Sequence, residues 1–250
     1  MLNSFLFQII FKSIFYILVY SLISYWLALP ALPSVFHIVT FLDYKFTLDL
    51  LNGISILLSS WIIVFLFSSF LGVFLGVIIG NNYVLYKFFS YDIDFFRSIP
   101  SVLLLIFVFA IIGDNFISRT FPVAYATFFT VIFYIVKATV NINKNRLNHL
   151  KDLGANHLEL LQVLFLELLS PIFIALRQAA SLSFLVLISI EIIVGPIVEN
   201  GIGALLNDWS EYLHYDEIIV TTLIIGIIGY LINLIIYNLH KSIVKWEKVE

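Results

Sequence analysis

The chain is 250 residues long, 62% apolar and 12% charged, with a formal net charge of −3. A soluble domain of this length cannot hide that much apolar surface in one core, so the natural solvent for the chain is a bilayer. A balance of 13 basic to 16 acidic residues excludes a concentrated nucleic-acid face, and the lack of cysteine excludes disulfides, thiolate catalysis and thiolate-bound metals.

A spanning helix needs about 20 mostly apolar residues. The first run of that kind covers 15–29, behind Lys12 and ahead of Pro30 and Pro33. It has no small-x-small cleavage site, so it reads as a retained anchor rather than a signal peptide. The second run covers 50–79 and ends at Gly80-Asn81-Asn82. A polar interval with Lys87, Asp92, Asp94 and Arg97 reads as a loop over 80–99. The third span opens at Pro100, a residue suited to a first helical position, and runs to 112. The fourth, fifth and sixth cover 121–140, 171–194 and 218–239. The expected fold class is therefore an all-α integral membrane protein of about six transmembrane helices.

Six spans put the N-terminus, the 80–99 and 141–170 segments and the C-terminal tail on one side. That side carries Lys12, Lys87, Arg97, Lys144, Arg146, Lys151, Lys241, Lys245 and Lys248, against Lys45 and Arg119 on the other. The opposite loops hold Asp43, Asp49, Asp114, Glu199, Asp208, Glu211, Asp216 and Glu217. Positive loops face the cytoplasm, so both termini are expected inside.

The 141–170 segment is too long for a plain connection between helices. Leu147, Leu150, Leu153, Leu158 and Leu161 recur at helical spacing, and Gly154 interrupts them as a helix C-cap or sharp turn would. Periodicity leaves two readings open. One is a knob of two short helices joined at the glycine; the other is an amphipathic helix lying on lipid headgroups.

Several stretches share a further pattern. They are Asp152-Leu153-Gly154-Ala155-Asn156, Leu164-Phe165-Leu166, Pro171, Arg97-Ser98-Ile99-Pro100, Glu191, Gly201-Ile202-Gly203, Asp216, Gly229 and Trp246. Over residues 70–247 their spacing resembles binding-protein-dependent ABC importer permeases, in particular the nitrate/sulfonate/taurine branch. The segment around Gly154 resembles the cytoplasmic EAA loop of that family, with Asn148-His149-Leu150 at the E-A-A positions and no acid there. Glu167 stands where the family usually has a proline. The resemblance implies a type I ABC importer transmembrane fold. It divides the single 1–250 permease domain into an anchor helix and outer loop (1–49), a transport core (50–240) and a coupling loop (141–170).

The same resemblance implies cytoplasmic ABC ATPase subunits, a second permease copy, an external solute-binding protein and the lipid bilayer as partners. It assigns coupling to Asn148, His149, Asp152, Leu153, Gly154, Ala155 and Leu158. The chain has no phosphate loop of its own, so energy must come from elsewhere and the chain is not expected to be an enzyme. Glu191, between Ile190 and Ile192, is a candidate pathway or gating residue, because a carboxylate in hydrocarbon needs a partner or water. Asp208, Trp209 and Glu211 form a candidate contact for the binding protein. Neither a metal site nor a cofactor is expected, since no ligand motif or acid cluster accompanies the histidines. The competing readings are a secondary transporter or channel, and a degenerate membrane scaffold. Gly72, Gly76 and Gly80 form a small-xxx-small line read as helix packing within one subunit.

Overall fold

The computed structural model describes residues 15–16, 18–26, 34, 44–142, 149–195 and 201–246. These residues form helices and connections, with no strand among those described. The helices are α1 (Tyr44–Asn81), α2 (Tyr83–Ser98), α3 (Leu104–Ile112, entered through a 3-10 turn at Ser101–Leu103), α4 (Phe116–Val140), α5 (His157–Val194), α6 (Ile202–Glu211) and α7 (Tyr215–Ile243). Helices α1, α4, α5 and α7 are long and apolar enough to cross a membrane. Helix α2 with the turn and α3 adds a fifth span if the pair, bent by 76°, counts as one. Residues 15–16 and 18–26 are helical, and the rest of the 15–29 span lies outside the described residues.

Three expectations are corrected. The 80–99 interval is helix α2 rather than a loop, begun by the Asn82 side chain, which accepts from the N–H groups of Val84 (2.9 Å) and Leu85 (3.2 Å). Its four charges masked a helical apolar face, on which Ile93 is buried against Ile132 and Val136. The 100–112 span is too short to cross alone, since 20 residues are needed where about a dozen stand. Lastly, α5 begins at His157, so Pro171 lies inside a helix instead of opening one. A proline there removes one backbone donor, and packing of a long apolar helix outweighs that loss.

The chain divides into two compact units, Met1–Ser55 with Val194–Gly226, and Ile56–Ile193 with Ile227–Glu250. In the first, Gly53 lies against Ile202, where a Cβ would sit 3.4 Å from the Ile202 backbone. Phe46 and Trp209 rings meet at 5.3 Å. A Cβ on Gly195 would collide with the backbone of Gly203, so these two backbones approach more closely than side chains allow.

In the second unit the glycine line does what its spacing suggests. A Cβ on Gly72 would meet Val131 at 2.9 Å, one on Gly76 would meet Ile135 at 2.8 Å, and one on Gly80 would meet Thr139 at 2.5 Å. Each step of four along α1 matches a step of four along α4 in the same direction, so the two helices run parallel and α2–α3 supplies the return. Helices α5 and α7 are antiparallel: Phe173 stacks on His240 at 5.1 Å, Ser181 donates to Asn233 at 3.0 Å, and Phe184 lies over Gly229. The Trp61 indole N–H donates to buried Ser183 at 2.9 Å, tying α1 to α5.

Candidate functional site

Three places stand out on this fold: a break in a span, a structured turn ahead of α5, and an acid within a spanning helix. The break follows from Pro100. A residue before proline is pushed out of the helical region, and Ile99 sits at φ −72, ψ 124. Helix α2 therefore stops, and α3 leaves at 76° to it. Interrupted backbone at membrane depth must find partners. Here the Tyr125 hydroxyl, on spanning helix α4, donates to the Phe96 carbonyl at 2.6 Å, and the Ile99 N–H reaches the same oxygen at 3.2 Å. The break is held in place from α4.

Beside the break lies a cavity of about 290 Å³, lined by Arg97, Ser98, Ser101, Tyr125 and Thr130 and closed by Leu182 and Val186 of α5. Tyr125 and Thr130 occupy the middle of α4, which puts this cavity beside the middle of that spanning helix rather than at its end. Arg97 is accordingly not a loop charge. Its guanidinium lies 3.6 Å from the centroid of the Phe133 ring, which Lys137 also approaches at 3.9 Å. Such cation–π contact accommodates a cation that would otherwise be costly in hydrocarbon. Tyr125 and Thr130 were missed as site residues. The signal for them was Pro100 behind an arginine in an apolar stretch, which marks a broken helix.

The turn ahead of α5 is defined closely. Residues 149–152 are helical, and Gly154 has φ +89, a conformation that side chains rarely adopt. The Ala155 N–H bonds the Leu150 carbonyl at 2.9 Å and the Gly154 N–H bonds the Lys151 carbonyl at 2.9 Å, the two bonds of a Schellman motif. Asn156 then caps α5. Its side chain accepts from the Glu159 N–H at 3.0 Å, and the Glu159 carboxylate accepts from the Asn156 N–H at 2.8 Å. Gly154 is thus a helix C-cap as expected. The second half of the 141–170 segment is not a separate short helix: it forms the first turns of α5.

Leu150 and Ala155 are half-buried, whereas Leu153 is 84% and Leu158 70% exposed. His149 and Asp152 are exposed too. Asn148 lies outside the described residues.

Glu191 is half-buried near the end of α5, with Ile190 buried on one side and Ile192 exposed on the other. It is not brought together with the Arg97 cavity. The Asp208, Trp209 and Glu211 patch, read as loop, forms the last turn of α6; Asp208 and Glu211 are exposed, while Trp209 packs against Phe46. At the 113–119 corner, Arg119 donates twice to the Asp114 carboxylate, at 2.7 and 2.5 Å. That hydrogen bonding, outweighing some desolvation, holds the Asp114 carboxyl below the usual carboxylate range.

A family model described as binding-protein-dependent transport system inner membrane component matches residues 68–249. Two solved structures of the MetNI methionine ABC transporter in inward-facing conformations share the fold. The first, from a selenomethionine soak crystal form, is 20% identical with a TM-score of 0.63, covering 80% of this chain and 99% of the other. The second, a native crystal form, is 18% identical with a TM-score of 0.59 and the same coverage. No curated protein matches the chain.

Proposed function

The chain belongs to the family of binding-protein-dependent transport system inner membrane components, and on that premise we propose how its parts divide the work of an importer permease. As a permease subunit it is a multi-pass inner-membrane protein that supplies the transmembrane path. The turn at 149–158 docks onto a cytoplasmic ATPase. A second permease copy completes the path, and an external binding protein delivers solute to the opposite face. Both termini lie in the cytoplasm. The permease belongs to the nitrate/sulfonate/taurine branch, on the strength of Arg97-Ser98-Ile99-Pro100 and Glu191, which lines or gates the path.

The observation that carries the coupling role is the pair of exposed leucines, Leu153 and Leu158, on either side of a turn fixed at both ends. A segment joined by two Schellman bonds and a reciprocal cap has little left to order on binding. It presents an apolar surface of the kind that fills a groove in a partner helix-in-groove fashion. A helix resting on lipid would need neither the glycine nor the cap. On the outer face, Asp208 and Glu211 offer negative charge to a binding protein, which favours encounter more than affinity.

Substitution at Gly154 tests the coupling. An added Cβ meets nothing within 4 Å, so the chain itself imposes no clash, and the cost is the positive φ, about 1–2 kcal/mol. Valine adds bulk in the open space where a partner would sit. Gly154→Val should abolish solute-stimulated ATP hydrolysis in the reconstituted importer while membrane insertion is normal. Normal stimulation with Gly154→Val would return the segment to the lipid-surface reading.

A further inference from the structure

Helix α2 has one face too many. At about 100° per residue, Val84, Phe88, Tyr91 and Phe95 all lie 140–180° around the helix from Ile93, the residue that packs on α4. They are 64% to 82% exposed. Their spacing of four, three and four is that of a heptad seam, with Val84 and Tyr91 at d and Phe88 and Phe95 at a. In that register Lys87 falls at g and Asp92 at e, five residues on. Both are exposed, and among the described residues neither makes an ion pair within the chain.

Lipid could cover the four apolar side chains, but it would leave an ammonium and a carboxylate facing hydrocarbon or its border, which is costly. A parallel copy of the same helix removes that cost. In parallel pairs each g residue faces the e residue five positions on in its neighbour, so Lys87 would meet Asp92 of the other copy and Asp92 its Lys87. Two copies inserted the same way share an axis along the membrane normal, and a steep helix near that axis meets its equivalent in parallel. Helix α2 runs alongside spanning α4, with Ile93 on Ile132 and Val136 and Phe96 on Phe129 at 5.5 Å, so it is steep.

We propose that the Val84–Phe88–Tyr91–Phe95 face of α2 is an isologous contact between two copies of this chain, oriented by reciprocal Lys87–Asp92 pairs. It rests on the reading that a second permease copy completes the path, and adds which surface that copy occupies. The break at Pro100 then begins one turn beyond the contact, so repacking of the seam is directly linked to the cavity at Arg97.

The chain has no cysteine, so each introduced thiol stands alone. Phe88→Cys and Tyr91→Cys, in native membranes treated with a thiol oxidant, should each give a disulfide-linked dimer. Ile227→Cys, at an exposed position on α7, should stay monomeric. Lys87→Asp in the Phe88→Cys chain should abolish the dimer band, and adding Asp92→Lys should restore it. Failure of the charge swap to restore the band overturns the proposal, as does equal crosslinking at Ile227. A chain that is dimeric by light scattering but does not crosslink at 88 or 91 overturns the seam while the second-copy reading stands. A chain monomeric in both assays overturns the two together and assigns the α2 face to lipid.

Discussion

Replacing Gly76 by alanine tests the α1–α4 seam on which the unit containing the cavity is built. The new Cβ would lie 2.8 Å from the Ile135 Cβ and 2.9 Å from its Cγ2, where carbon atoms prefer about 3.5–4.0 Å. Ile135 is fully buried and β-branched, so it has essentially one helical rotamer and cannot swing aside. The helices must separate by about 1 Å, and overpacking of that kind costs about 1–3 kcal/mol. Alanine's better helix propensity returns up to about 1 kcal/mol of this. Gly226 in α7 supplies the control, since a Cβ there meets nothing within 4 Å and gains the propensity without the clash. The two variants should therefore differ by about 1–3 kcal/mol. At about 2–4 °C per kcal/mol, that is a gap of ~2–12 °C in Tm between Gly76→Ala and Gly226→Ala. Thermal unfolding of the purified chains in detergent, followed by circular dichroism, reads it directly. Equal Tm values would refute the parallel α1–α4 register.

Three further outcomes follow from the same structure. Glu191→Gln should lower uptake about tenfold or more, the scale of a lost hydrogen bond to a charged group, with ATPase assembly intact; lost expression instead would make Glu191 a packing residue. A double-mutant cycle on Trp61→Phe and Ser183→Ala should give a coupling of about 0.6 kcal/mol, as intramembrane hydrogen bonds do, and zero coupling would deny the bond. The lowered pKa of Asp114 gives stability that is present above the ordinary carboxylate value and is lost as pH falls through the folded one. Arg119→Leu should flatten the acid limb of the Tm–pH profile, and an unchanged limb would remove the pair from the stability of that corner.

What the sequence determined was whatever depends on composition and on single backbone rules. The bilayer as solvent follows from apolar content alone, because no arrangement of this chain could bury it in water. The turn at Gly154 follows from a residue free to take positive φ in any context, whereas Pro100 read only as the opening of a span and became a break once 80–99 proved helical. Even the packing role of Gly72, Gly76 and Gly80 was visible, since a line of missing side chains invites close approach wherever it occurs.

Tertiary structure decided what depends on neighbours far along the chain. The 80–99 interval looked like a loop because Lys87, Asp92, Asp94 and Arg97 dominate its local polarity. It is a helix because Ile93 finds Ile132 and Val136 some 40 residues away, and Arg97 finds the Phe133 ring. Helix α5 ignores Pro171 because contacts with α7 outweigh one missing backbone bond. Tyr125 could be recognised as the residue that satisfies the broken backbone only once α4 lay beside Phe96. A local pattern sets the cost of each conformation, but the packing of distant segments determines whether that cost is met.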